Sequence, residues 1–451
     1  MRTQAEAARW LAVALVAAAG CRRTTLHPTP APSPDAAGVT PVAPAGGRAG
    51  WTAAFRLRHR PVEAHDLPDV VVHAPPGFDP TRPLHVVMVF HGLNSRPAWL
   101  VAAGPLAPLT GETGSGWGLS TRHDRAGVNA LLVAPQLAPR GAAEVAGAFR
   151  RPGFLREFLQ ELLSETLAPR LGGRRTVDDI EGLTLVGSSG GGPVIGTLLA
   201  RSDLADRVRA VVLDDGLYGA ESAFAAWMER STPEAPRRFV CLTSNDDADM
   251  RRRADGLAAR LRGQGTAVAV QPEGALADAV RAHGAVFMTA ACGHGGLIGA
   301  TYDKVVGALG IGARERAAGE VGRVPVRPAP PVGALAVGAA ATRGSFARGD
   351  AMLDDWTYFD DWTLVVAAGQ RLRVDVRGGR TRSHGCAAHD VEVSVLDGDR
   401  VLARDDDGGG GWNARARFTA ARDGSVTVRV TERETWGVEG AYSVRAAIDG
   451  P

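Results

Sequence analysis

Lysine is all but missing from this chain. Lys304 is the only one in 451 residues, and arginine supplies the rest of the 51 basic side chains. With 57 glycines and abundant alanine, the bias reflects GC-rich coding more than chemistry. Charge of either sign is not in excess. The formal net charge is +2, so electrostatics argue for neither a nucleic acid nor a membrane surface as partner. Cysteine is scarce too. Apart from Cys21 there are only Cys241, Cys292 and Cys386, widely spaced and odd in number, which excludes a disulfide framework or a zinc site and leaves buried thiols. No apolar run is long enough to span a bilayer, and no repeat of 20–50 residues is visible. What is present is ordinary for a soluble globular protein: 45% hydrophobic and 22% charged residues, in a chain long enough for two domains.

The N-terminus carries an export signal. Arg2 and Arg9 precede an apolar run from Trp10 to Ala19, of signal-peptide length. Ala18-Ala19-Gly20-Cys21 then resembles a bacterial lipobox. The expected outcome is an exported protein, either anchored to the cell envelope through a lipid on Cys21 or simply secreted. Residues 1–20 are read as the signal peptide. Residues 21–50, rich in Pro, Ala, Thr and Gly, form a flexible tether. Residues 51–312 form a first domain, 313–340 a second linker, and 341–451 a second domain.

In the first domain, strands alternate with helices. Phe55–Arg60 and Val70–His73 read as opening strands. His85–Phe90, Ala130–Ala134, Thr184–Val186, Val208–Leu213, Phe239–Thr243, Ala267–Val270 and Val286–Ala291 are apolar runs of strand length. Between them, helical stripes such as Phe154, Leu155, Phe158, Leu159, Leu162 and Leu163 recur at helix spacing. This is the pattern of an α/β fold with a doubly wound, mostly parallel sheet. Beyond residue 340 the pattern changes to short alternating strands: 364–366, 371–376, 391–396, 414–418, 425–430 and 442–446. They predict a small all-β sandwich.

The stretch from Gly182 to Ala200 organises the first domain. A β-branched run leads into Gly187-Ser188-Ser189-Gly190-Gly191, and Val194, Ile195, Leu198 and Leu199 follow at helical spacing. G-x-S-x-G between a strand and a helix places Ser189 at the apex of a sharp turn, its hydroxyl exposed and its neighbours small. A Gly-rich phosphate cradle is the competing reading, but no Lys follows in P-loop fashion. Serine needs an imidazole to take its proton and a carboxylate to orient that imidazole. His294, flanked by glycines after a strand, is the candidate base, with His91 and His283 as competitors. For the acid, Asp215 and Asp247 stand at parity. Each follows a strand, and the loser is expected on the surface or at a helix N-cap. Asp214 and Asp215 alternate along one strand, so only one of them can face the site. The backbone N–H groups of Leu93 and Gly190 are the expected oxyanion donors.

With those motifs in view, residues 51–312 resemble a secreted α/β-hydrolase: HGLNS as the oxyanion loop, GSSGG as the nucleophile elbow, GHGG as the histidine loop. VVVHAPPGFDPTRPLHVVMVFHG is similar to polyester depolymerases and feruloyl-esterase-like members. Ser188 departs from the His that many members carry before the nucleophile. The resemblance implies a serine hydrolase of carboxylic esters, without metal or organic cofactor, acting on an ester-containing small molecule or polymer. The alternatives are a peptidase of the same fold, or a non-catalytic protein that binds a polymer at the cell surface. Residues from about 341 resemble the bacterial pre-peptidase C-terminal domain through GSFARGD, WTYFDDWTLVVAAGQRLRVDV, VLARDDDGG and GAYSVRAAI. Related members bind extracellular polymers, and some bind calcium. Asp405, Asp406 and Asp407 are the oxygen ligands available for a calcium ion, with a charged turn as the plainer alternative. Trp356, Trp362 and Trp412 form either a binding face or core aromatics.

Overall fold

Apolar runs buried on both faces build the centre of the first sheet. Its strands are β1 (Trp51–Phe55), β2 (Val70–Ala74), β3 (Leu84–Phe90), β4 (Ala130–Pro135), β5 (Ile180–Ser188), β6 (Val208–Asp214), β7 (Arg238–Thr243), β8 (Val268–Val270) and β9 (Ala285–Thr289). The computed structural model describes residues 50–450 apart from 63–64, 66, 93–94, 104–105, 111–116, 138–145, 245–246, 272–275, 291–293, 295–296, 313–329, 348–349, 352–357, 382–389, 411 and 433–439. The leader, the tether through residue 49, Cys21, Leu93, Cys292, Cys386 and Trp356 therefore lie outside the described residues.

The strand order is β1-β2-β4-β3-β5-β6-β7-β9-β8. β1 and β2 pair antiparallel, as do β2 and β4, and every other pairing is parallel. Helices α1 (Pro97–Val101), α2 (Ala107–Thr110), α3 (Leu119–Ala126), α4 (Phe154–Glu161), α5 (Gly191–Arg201), α6 (Glu221–Glu229), α7 (Ala248–Gly263), α8 (Leu276–Ala282) and α9 (Leu297–Ala308) cover both faces. The pleat divides each central strand between two cores. Val86, Met88 and Phe90 of β3 pack with Leu183, Leu185, Leu213 and the apolar faces of α4 to α7. Val87 and Val89 pack with Val186, Val212 and the apolar residues of α1, α3, α8 and α9. Each such fully buried aliphatic side chain contributes about 1.5–3 kcal/mol. The strand order reverses between β3 and β5, and at such a switch point the carboxyl-end crevice is where an open α/β sheet places its site.

The first strand differs from the sequence reading: it is Trp51–Phe55, not Phe55–Arg60. Past Phe55 the backbone donors go to carboxylates instead of a ladder. Leu57 N–H donates to Asp69 Oδ2, while Arg58 and His59 donate to Glu161.

The C-terminal region is two packed antiparallel sheets. One contains Gly333–Leu335, Phe359–Val366, Gly424–Glu432, Val391–Asp397 and Arg400–Asp405; the other contains Thr342–Phe346, Gly440–Ile448, Arg371–Thr381 and Ala414–Thr419. Gly333–Leu335 lies inside the stretch read as linker and pairs, in parallel, with Trp362 to Leu364. The strand expected at 364–366 begins five residues earlier, because Asp360 and Asp361 interrupt its apolar pattern yet are buried in it. Asp361 takes two hydrogen bonds from Arg429, and Asp360 accepts the Tyr442 hydroxyl at 2.6 Å. Burial pushes Asp360 up to about 6. Trp362 is a core residue, its indole N–H donating to Tyr442 Oη at 2.8 Å.

The single lysine sits where this region meets the first sheet's helices. Lys304 of α9 places Nζ 3.0 Å from Asp390 Oδ1 and 2.7 Å from Asp407 Oδ1, with the ring of Trp412 at 4.6 Å. The triplet read as a calcium candidate is thereby divided. Asp405 accepts the N–H groups of Gly408 and Arg415 within its turn, Asp406 follows it there, and Asp407 faces an ammonium already in place. Among the described residues no group of three such side chains is placed to hold a metal ion, and Trp412 is partly buried beside Lys304. Replacing Lys304 by methionine leaves two buried carboxylates without their cation. Lys304→Met is expected to lower unfolding free energy by about 3–5 kcal/mol, read from the midpoint of urea denaturation.

Candidate active site

Three strand ends meet at the carboxyl edge of the first sheet, and glycine makes the meeting possible. A Cβ on Gly191 would overlap the carbonyl oxygen of Phe90 at the end of β3, and one on Gly192 would overlap the carbonyl oxygen of Gly216 just past β6. The turn after β5 is therefore clamped between its two neighbours. Ser189 occupies its apex with φ of +51°, a left-handed conformation costly for a residue with a side chain. Its N–H donates to Asp214 O at 2.9 Å, and its carbonyl accepts Gly192 N–H at 3.1 Å. These bonds hold the strained turn closed and leave the side chain at the strand's end. Gly190 stands at the head of α5, where backbone N–H groups are free of helix partners.

The loop after β3 lies against the serine. A Cβ on Gly92 would stand 2.9 Å from Ser189 Cβ and 3.3 Å from its Oγ, so the position next to Leu93 is in van der Waals reach of the hydroxyl. His91 braces this loop. Its Nε2 accepts Leu137 N–H at 2.9 Å, which puts the ring proton on Nδ1, 2.8 Å from Gly92 O. Full burial pushes His91 down to about 4, so the ring is neutral around neutral pH and both its nitrogens are spent. His283 lies at the other edge of the sheet, just before β9, with Nδ1 3.1 Å from Ala279 O. Neither competitor can serve Ser189.

His294 follows β9 on the same edge as Ser189, its side chain 47% exposed. Its Nδ1 lies 3.0 Å from Asp215 Oδ2, and Asp215 is 1% exposed. Asp215 also has a left-handed backbone, φ +47°, which aspartate tolerates better than most. Its own N–H donates to Leu242 O, and its Oδ1 accepts Ser244 N–H at 2.6 Å. The carboxylate is thus fixed by β7 on one oxygen and aimed at the imidazole with the other. Asp247 is placed elsewhere. It caps α7, with Oδ1 accepting the N–H groups of Asp249 and Met250 at 2.9 Å each. The parity between the two aspartates is broken by local geometry: His294 Nδ1 faces Asp215, while the described hydrogen bonds of Asp247 are those of a helix cap.

Three contributors were given no role by the sequence reading: Gly216, Ser244 and Thr301, whose hydroxyl lies 3.0 Å from Asp214 Oδ1. Gly216 carried a signal in the DDG run, since a left-handed Asp215 asks for a small successor. Ser244 and Thr301 carried none, because their role depends on which strands become neighbours. Cys241, on β7, is buried, and burial pushes its thiol well up, so it is an inert core residue.

No family model and no curated protein sequence matches this chain. Among solved structures, it is similar at 13% identity to a feruloyl esterase module from Clostridium thermocellum, over 62% of this chain and 92% of that one, with a TM-score of 0.35. A dienelactone hydrolase from Anabaena variabilis aligns at 12% identity over 53% and 89% of the two chains, with a TM-score of 0.30. The C-terminal region aligns with the pre-peptidase C-terminal domain of a collagenase from Bacillus anthracis at 16% identity, over 26% and 98%, with a TM-score of 0.20.

Proposed function

We propose that this chain is an exported serine hydrolase of the α/β-hydrolase class that cleaves carboxylic esters. The observation that carries the proposal is the His294–Asp215 pair on the same sheet edge as a serine held at positive φ. Ser189 Oγ attacks the acyl carbon while the imidazole of His294, its Nδ1–H directed at Asp215, takes the serine proton on Nε2. The resulting oxyanion lies between the loop at Gly92–Leu93 and the helix head at Gly190, whose N–H groups bear its charge. Collapse expels the alcohol, which leaves with the proton from His294. Water, activated by the same imidazole, then hydrolyses the acyl-enzyme. Every step uses groups of this chain. The ester preference rests on the resemblance of VVVHAPPGFDPTRPLHVVMVFHG to polyester depolymerases and feruloyl-esterase-like members. Export rests on the N-terminal sequence.

Labelling with a fluorophosphonate probe tests the activated serine. The wild-type protein is expected to label, and Ser189→Ala and His294→Ala are expected not to. On a chromogenic short ester, Ser189→Ala should lower kcat by up to about a million-fold. A loss under about tenfold would overturn the assignment. A matched peptide substrate run beside the ester separates esterase from peptidase.

The two aspartates give an independent test. Asp215→Asn is expected to lower kcat by about ten-thousand-fold with the fold intact, because the imidazole loses its orienting charge. Asp247→Ala is expected to leave kcat nearly unchanged and to cost about 1 kcal/mol of stability through the lost cap, read by thermal or urea unfolding.

A further inference from the structure

Asp214, next to the acid of the site, has a different environment. It ends β6 with its side chain on the opposite side of the strand from Asp215, fully buried. Oδ1 lies 3.0 Å from Thr301 Oγ1 on α9, the helix that leaves the His294 turn. The same hydroxyl lies 2.9 Å from Leu297 O. One hydroxyl proton cannot serve two acceptors. If Thr301 donates to Leu297, the hydrogen on the Asp214–Thr301 contact must come from Asp214. Oδ2 is buried with no hydrogen-bond partner among the described residues. A carbonyl oxygen tolerates that far better than half of an anion does. The titratable groups facing Asp214 are Asp215, which follows it, and the Cys241 thiol on β7; among the described residues no cation bears on it.

We propose that Asp214 is held as a neutral carboxylic acid that donates to Thr301, and that this Asp214–Thr301–Leu297 chain is a positioning device tying the start of α9, and with it His294, to the strand that carries Asp215. The proposal rests on the serine-hydrolase reading for its catalytic consequence, and its protonation half stands independently of that reading. A proton on Asp214 also removes the like charge that would otherwise sit beside Asp215. Burial and the neighbouring Asp215 push Asp214 up to about 7, even against the pull of a bond that Thr301 would donate.

The sign of the pH effect follows from linkage. Between the ordinary carboxylate value of 3.8 and about 7, the folded protein keeps a proton that the unfolded chain has released. Wild-type stability therefore falls as pH rises through that window, and the contribution is constant above it. Asp214→Asn keeps an uncharged donor and has no such proton. Thermal unfolding of the full chain from pH 4.5 to 8.5 is expected to show the Tm of Asp214→Asn rising relative to wild type up to pH about 7, then running parallel. A difference independent of pH would mean that Asp214 is ionised in the fold, and would overturn the proposal.

The positioning role is read by the fluorophosphonate labelling rate at pH 7. Asp214→Asn and Thr301→Ser should label within about threefold of wild type, and folded Thr301→Val at least about tenfold more slowly, because small misplacements of a catalytic group are costly. Wild-type labelling by Thr301→Val would overturn it. If the wild-type protein does not label at all, the hydrolase reading falls and takes the positioning role with it, while the unfolding series still decides the proton.

Discussion

A backbone-to-backbone contact governs the carboxyl edge of the first sheet. Gly191 touches the carbonyl of Phe90 and Gly192 touches the carbonyl of Gly216, so the turn after β5 is wedged between the ends of β3 and β6 with no room for a methyl group. Because the wedge is rigid, Ser189 can be kept at positive φ, a strain of about 1–3 kcal/mol that a looser turn would relax. The same wedge brings the Gly92 loop against the serine and holds Gly216, the residue after Asp215, against α5. Ser189, the Gly92 loop and Asp215 are in this sense one packing unit.

Electrostatics in the unit depend on where two neighbouring carboxyls point. Asp214 and Asp215 are neighbours in sequence, yet one points into an apolar layer toward Thr301 and the other toward an imidazole half open to solvent. Two adjacent aspartates are an expensive pair if both are ionised in the interior. Opposite faces give each a different dielectric and a different partner. His91, equally buried, is neutral and structural for the same physical reason, while His294 keeps its exposure by standing on a turn after β9.

Much of this was legible in the residues. Continuous apolar runs identified the buried parallel strands, and the change to short alternating runs marked the β-region, because burial on two faces and on one face leave different patterns. The elbow and the His294 turn were visible because their chemistry needs small residues at fixed spacing. Which aspartate faces His294 was not, since Asp215 and Asp247 both follow strands; only the cap geometry at α7 and the ladder between β6 and β7 separate them. Charge concealed structure elsewhere. Asp360 and Asp361 broke the pattern of a strand whose interior they occupy, because the compensating partners, Arg429 and Tyr442, lie 68 and 82 residues away in sequence. The role of Asp407 was hidden in the same way: its ammonium partner comes from α9.

That cation bears on how the surface can be addressed chemically. With arginine serving every other basic position, the exterior of the folded protein carries guanidinium groups and no lysyl amine. Acylating tags and aldehyde cross-linkers that act on ε-amines find a single target, at the seam between the helices of the first sheet and the β-region. Such reagents would leave the rest of the coat unmarked, and their reaction at Lys304 would clock the opening of that seam. With one buried lysine, the protein carries a single lysyl ε-amine as a reporter of its own cohesion.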